Sequence, residues 1–202
     1  MSDVILVFTD WDGVLVHPAF MHTVPTEKYA DIFNSNNLSA DPIDPVSFGL
    51  LNRLFFERPE LNMVCSSTWR ADGRENLEQG LKDAHASLSR ALNTPDLPYA
   101  IRFHDIPGEP DSWRTDFGLD TDMDLARGKA IDQYLIRYCD PNQKYIILDD
   151  DADFEAHQKS VLIRMNGYRG FGIEEFIQAE DLIGAMRFSA LSAPQKPCVP
   201  GA

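Results

Sequence analysis

Short apolar runs rich in Val and Ile alternate along this chain with longer stretches whose apolar residues recur at helical spacing. The run Val4 to Phe8 is continuous rather than alternating, which is the pattern of a strand buried on both faces. The same criterion predicts strands at Met63–Cys65, Tyr99–Phe103, Tyr145–Leu148 and Val161–Met165. Leu50, Leu51, Leu54 and Phe55 predict a helix capped by Ser47 and stopped at Pro59. Further helices are predicted over Arg74–Leu92, over Gly128–Tyr138, and as one or two closing helices over Ile173–Phe188. This alternation predicts an α/β fold, a parallel sheet with helices on both faces.

Two stretches break the pattern. Residues 17–45 carry Pro18, Pro25, Pro42 and Pro45, which predicts an irregular excursion with one short helix around Glu27–Phe33, a small lid at most. Residues 104–124, with Pro107, Gly108, Pro110 and Gly118, read as a second small insertion. The expected organisation is a catalytic domain over residues 1–190 with these insertions and a flexible tail over 191–202, where proline recurs and no helix can continue.

Composition narrows the class. The chain has 202 residues, 44% of them hydrophobic, enough for one real core. Lys and Arg number 18 against 32 Asp and Glu, a net charge of -14, so no stable complex held on nucleic acid by a basic surface is expected. No apolar run reaches the ~18 residues of a membrane span, and the first residues lack the pattern of an export signal. Cys65, Cys139 and Cys198 are odd in number, widely spaced and without a Cys-x-x-Cys pair, which points to a reducing cytoplasm.

The chemistry gathers at strand ends: Asp10 and Asp12 after the first strand, Ser66, Ser67 and Thr68 after the second, Asp149 and Asp150 after the fourth. In open α/β sheets the ligand site lies beyond the carboxyl ends of the strands, so these scattered groups converge. Several carboxylates around one point repel strongly in a half-buried cleft and call for a cation. Hard oxygen donors without histidine or thiolate favour Mg2+ over Zn2+. Gly13 allows a tight turn after Asp12. A hydroxyl from Ser67 and the ammonium of Lys129 would complete a phosphate site.

With VILVFTDWDGVL, MVCSSTWR, Lys129 in RGKAIDQYL and YIILDDDADF in that order, the chain resembles the haloacid dehalogenase-like (HAD) superfamily of aspartate-nucleophile phosphatases. Within it, SSTWR and the ILDDD ending are similar to the small HAD domains attached to RNA-repair proteins. The resemblance implies a Rossmann-like core with a small cap or none, Mg2+ dependence and an aspartyl-phosphate intermediate. It makes Asp10 the nucleophile and a metal ligand, and Asp12 the general acid and base, which offers the metal its backbone carbonyl. Asp150 becomes the nearer ligand with Asp149 in support, although either of the pair fits. Ser67 becomes the phosphate donor, with Ser66 one position away, and Lys129 neutralises the phosphate. The substrate implied is a phosphorylated small molecule or a nucleic-acid end.

Each residue also has a plainer role. Asp-x-Asp-Gly is a common turn, an Asp run caps helices, and Lys129 could be a solvated helix lysine. Trp69 either packs in the core or stacks on a base, and Arg70 either pairs with a neighbour or contacts phosphate. Arg164 and Arg169 flank Gly167 and serve either substrate or structure. Cys65 reads as a small buried hydrophobe, and the histidines show no metal-ligand spacing. The rivals to a phosphatase are a catalytically silent binding protein on the same fold and a phosphotransferase.

Overall fold

A computed structural model describes residues 4–23, 43–116 and 126–191. The expected helix at 27–33, the remainder of the first excursion over 24–42, residues 117–124 of the second with the adjoining residue 125, and the tail from 192 lie outside the described residues.

Four parallel strands form one sheet in the order β2-β1-β3-β4: β1 Ile5–Thr9, β2 Leu61–Cys65, β3 Lys144–Asp149 and β4 Leu162–Arg164. Every residue of β1 is buried. Ile5 and Val7 enter the larger core with Phe48, Leu51, Leu54, Leu77, Leu81, Phe176 and Ile183, while Leu6 and Phe8 enter a second core with Ile131 and Tyr134. Burial on both faces explains why β1 is continuously apolar, as read from the sequence.

The larger core is closed by α2 Pro45–Glu57, α3 Arg74–Leu92 and α5 Ile173–Leu191, and the second by α4 Arg127–Tyr138. A one-turn α1, Pro18–Met21, precedes them. Gly49 inside α2 costs about 1 kcal/mol relative to Ala, whereas fully buried Leu51, Leu54 and Phe55 each contribute about 2 kcal/mol. Packing therefore decides this helix, and Gly49 assists it: an added Cβ there would stand 2.9 Å from Leu88 Cδ2 of α3.

Two expectations are corrected. The helix is capped by Asp44, whose carboxylate accepts from the Val46 and Ser47 amides at 3.0 and 3.2 Å; Ser47 lies in the first turn and donates its hydroxyl to Asp44 at 2.9 Å. His17 Nε2 also reaches Asp44, at 3.0 Å, joining the two ends of the first excursion. The strand expected at Tyr99–Phe103 is reduced to a single bridge between Phe103 and Met63, and Arg114 bridges Cys65 further along. Arg102 and Trp113 carbonyls accept from the Met63 and Cys65 amides at 2.8 Å, so two short contacts cover the outer edge of β2 where one strand was expected. Residues 105–112, within the second excursion, separate them, which is why no continuous ladder forms.

The chain leaves β1 for β2 on one side and returns to β3 on the other, so the strand order reverses at β1 and opens a crevice at the carboxyl ends of β1 and β3. Among the described residues no helix is long and apolar enough to cross a membrane.

Candidate active site

Asp10 follows β1 directly, and Thr9 pairs with both Cys65 and Leu148. Asp10, Ser66 and Asp149 therefore stand at one level across three strands and share the side of Phe8, Val64 and Ile147, the side covered by α4. The Asp10 amide donates to Leu148 O and the Ser66 amide to Thr9 O, both at 3.0 Å, so backbone ladders hold both positions. Asp10 and Asp149 are almost fully buried.

Asp10, Asp149 and Asp150 each offer a carboxylate oxygen, all within 4.8 Å of one another. The Trp11 amide donates to Asp10 Oδ1 at 2.7 Å, and the Asp151 amide to Asp149 Oδ1 at 2.9 Å. Burial, then the neighbouring Asp10, pushes the Asp149 carboxyl well above the usual range; the same two causes push Asp150 up. Asp150 sits between two glycines: a Cβ on Gly13 or on Gly167 would collide with its carboxylate. Gly13 also has φ 71°, so the turn after Asp12 needs a glycine on both counts.

Among the described residues the cation paired with this cluster is Arg127, which sequence reasoning missed. Its Nη1 bonds both Asp10 Oδ2 and Asp149 Oδ2, the latter at 2.9 Å, and its Nε lies 3.3 Å from Asp151. Its amide donates to Asp153 at 3.2 Å, fixing the first turn of α4. Lys129, expected at this place, is exposed. Two residues along a helix turn the side chain by about 200°, so residues 127 and 129 cannot face the same point. The helix begins one residue earlier than its apolar spacing suggests, which puts an arginine in its first turn beside the strand ends.

The two serines, between which the sequence left the choice open, are placed differently. The strand has five residues and Ser66 follows it at once, as Asp10 follows β1. Ser66 Oγ is buried with no hydrogen-bond partner among the described residues. Ser67 Oγ instead accepts from the Trp69 amide at 3.4 Å and caps the 3-10 turn Thr68–Asp72. Counting a four-residue strand favours Ser67; ending both strands level would have favoured Ser66.

Asp12 is exposed and its side chain is not one of the clustered carboxylates; its Oδ2 accepts from Trp69 Nε1 at 3.0 Å. Arg70 is buried, with Nη1 donating to the carbonyls of Ser66, at 2.7 Å, and Ser67, so it clamps this loop from within. Arg164 is exposed and its Nε lies 3.3 Å from the Asp150 carbonyl, so it supports the fourth-motif backbone; Arg169 is also exposed. Burial pushes the Cys65 thiol up to about 12, which leaves it an inert hydrophobe.

Residues 6–176 match the model of the HAD domain in Swiss Army Knife RNA repair proteins. The chain belongs to this family. Membership of this HAD domain family accords with the parallel α/β sheet and with an acidic cluster able to bind a divalent metal. A search of curated proteins and a search of solved structures each return no match.

Proposed function

We propose that this HAD domain is a Mg2+-dependent phosphatase that hydrolyses a phosphomonoester through an aspartyl-phosphate intermediate. The observation that carries the reading is the meeting of Asp10, Asp149 and Asp150 at the crevice between β1 and β3. The carboxyl groups of Asp10, Asp149 and Asp150 outnumber the one guanidinium they face, an arrangement that a divalent cation would balance. The all-oxygen donor set fits Mg2+, with Asp10, Asp149 and Asp150 as candidate carboxylate ligands and the Asp12 carbonyl as a further one. When bound, the ion would polarise the phosphoryl group and screen its charge from these acids.

Asp10 attacks phosphorus with one carboxylate oxygen, the ester P–O bond breaks, and the leaving oxygen takes the proton of the Asp12 carboxyl group. Asp12, now ionised, takes a proton from the attacking water. Its oxygen displaces Asp10 from phosphorus and frees inorganic phosphate. The exposed position of Asp12 outside the carboxylate cluster suits a group that must meet both leaving oxygen and water. Ser66, whose hydroxyl has no partner among the described residues, and Arg127 are the proposed phosphate contacts, in place of Ser67 and Lys129.

The proposed substrate class is a nucleotide or nucleic-acid end phosphate, supported by the RNA-repair description of the family. A net charge of -14 favours brief contact with a strand end over a lasting complex. The test is a screen of phosphomonoesters, including 3'-phosphorylated oligonucleotides, with Mg2+ and with chelator. Phosphate release that needs Mg2+ and is abolished in a folded Asp10→Asn variant is expected. No turnover with any divalent metal would favour a binding protein, and capture of the phosphoryl group by an added alcohol in preference to water would favour a phosphotransferase.

A further inference from the structure

Two buried hydroxyl residues occupy paired positions at the end of β2. The Cys65 amide donates to Trp113 O at 2.8 Å and the Thr115 amide to Cys65 O at 3.0 Å, so Arg114 lies opposite Cys65 and Thr115 opposite Ser66. Ser66 stands level with Asp10 and Asp149, and Thr115 extends that row past the outer edge of β2. Thr115 is 1% exposed and Ser66 4%. Neither hydroxyl has a hydrogen-bond partner among the described residues. Arg70 ties the two segments together: its Nη1 donates to the Ser66 and Ser67 carbonyls, and its Nη2 to Asp116 O at 3.5 Å.

We propose that Thr115 is a second hydroxyl contact for the phosphoryl group, donating with Ser66 to the same oxygen. This rests on the phosphatase reading above. A buried hydroxyl without a partner costs stability, and most such groups in folded proteins are completed by protein, water or ligand. Neighbouring strands lie about 4.8 Å apart, which is too far for two facing hydroxyls to bond each other. A single oxygen that accepts from each at about 2.8 Å spans that separation. A phosphoryl group in transfer spreads its charge over its peripheral oxygens, and donors held in place before it arrives need no reorganisation. Placement separates this pair from other orphaned hydroxyls. Ser89 Oγ and Tyr138 Oη also lack partners among the described residues, but they lie near the C-terminal ends of α3 and α4, helices that start at the carboxyl side of the sheet and run away from it.

The role has a readout that a structural hydroxyl lacks. Thr115→Val keeps the side-chain shape and removes the hydroxyl, whereas Thr115→Ser keeps the hydroxyl. Two measurements are read side by side: calorimetric binding of inorganic phosphate in the presence of Mg2+, and thermal unfolding without phosphate. Thr115→Val is expected to raise the dissociation constant for phosphate about tenfold, while the unfolding midpoint stays the same or rises, because an apolar group of like shape replaces an unpaired hydroxyl. Thr115→Ser should keep the affinity within about threefold of wild type, and Ser89→Ala should not change it. A lower midpoint with unchanged phosphate affinity in Thr115→Val overturns the proposal. So does an equal loss of affinity in Thr115→Ser and Thr115→Val, or a wild type that binds no phosphate. Turnover of p-nitrophenyl phosphate by the wild type tests the phosphatase reading separately. Phosphate binding that needs the Thr115 hydroxyl, without turnover of any phosphomonoester, overturns that reading and leaves the contact; turnover with a phosphate affinity indifferent to Thr115→Val overturns the contact alone.

Discussion

One guanidinium nitrogen of Arg127 bonds the carboxylates of both Asp10 and Asp149, linking the ends of β1 and β3 through the first turn of α4. The two acids are nearly inaccessible, and Arg127 is partly exposed at the mouth of the crevice. This side chain therefore offsets the negative charge that the two buried acids bring to the crevice.

Arg127→Ala is expected to lower stability by about 3 kcal/mol without divalent cations, because it leaves buried carboxylates unpaired. Mg2+ should recover much of that loss, which thermal unfolding with and without the ion would measure. Phosphatase activity should fall by about 100-fold or more, whereas Lys129→Ala, on the opposite side of the helix, should change it by less than about threefold. A larger loss in Lys129→Ala than in Arg127→Ala would restore the lysine to the site.

Gly167→Ala is expected to weaken Mg2+ binding by about 10- to 100-fold with little change in overall stability. The added Cβ meets the Asp150 carboxylate from one side while Gly13 closes the other, so the carboxylate cannot step aside. Calorimetric titration with Mg2+ is the measurement; unchanged affinity would mean that Asp150 has room to move.

The serines can be separated. Ser66→Ala is expected to reduce kcat/KM by about 100-fold, as removal of a buried donor aimed at an anion does. Ser67→Ala loses a long cap bond and should cost about 0.5 kcal/mol of stability, with a much smaller kinetic effect. Steady-state kinetics beside thermal denaturation decide between them, and the reverse order would return the donor role to Ser67.

A pH effect on stability is expected at His104. The Tyr134 phenol donates to the Ser112 carbonyl and accepts from His104 Nδ1 at 2.6 Å. Burial lowers the His104 pKa, with partial opposition from Asp105. The unfolded chain then binds a proton more readily than the folded one. Stability from this group is complete above the ordinary histidine pKa and is lost as pH falls through it. Denaturant midpoints between pH 7.5 and 5.5 should thus decline more steeply in wild type than in His104→Asn, which keeps a donor near Nδ1 but does not titrate. Equal slopes would remove His104 from the acid sensitivity.

Much of this molecule is legible from its residues in order. Continuous Val and Ile runs can be stable only between two layers, so β1, β2, β3 and β4 and the helices covering them follow from apolar spacing, and the acids at the strand ends follow from the way parallel sheets expose their carboxyl edges. The Arg74–Leu92 helix matches its predicted bounds because its apolar face repeats without interruption. Three things depended on the assembled chain. Register decided that Ser66, rather than Ser67, stands level with Asp10, since one residue reverses the face a side chain points to. Helical phase decided that Arg127 rather than Lys129 enters the cluster, since chemistry alone does not distinguish two neighbouring cations. Long-range packing decided that Trp69 donates to Asp12 and that Gly167 flanks Asp150, because these partners lie far apart in the chain and meet only when separate strand ends are brought to one crevice.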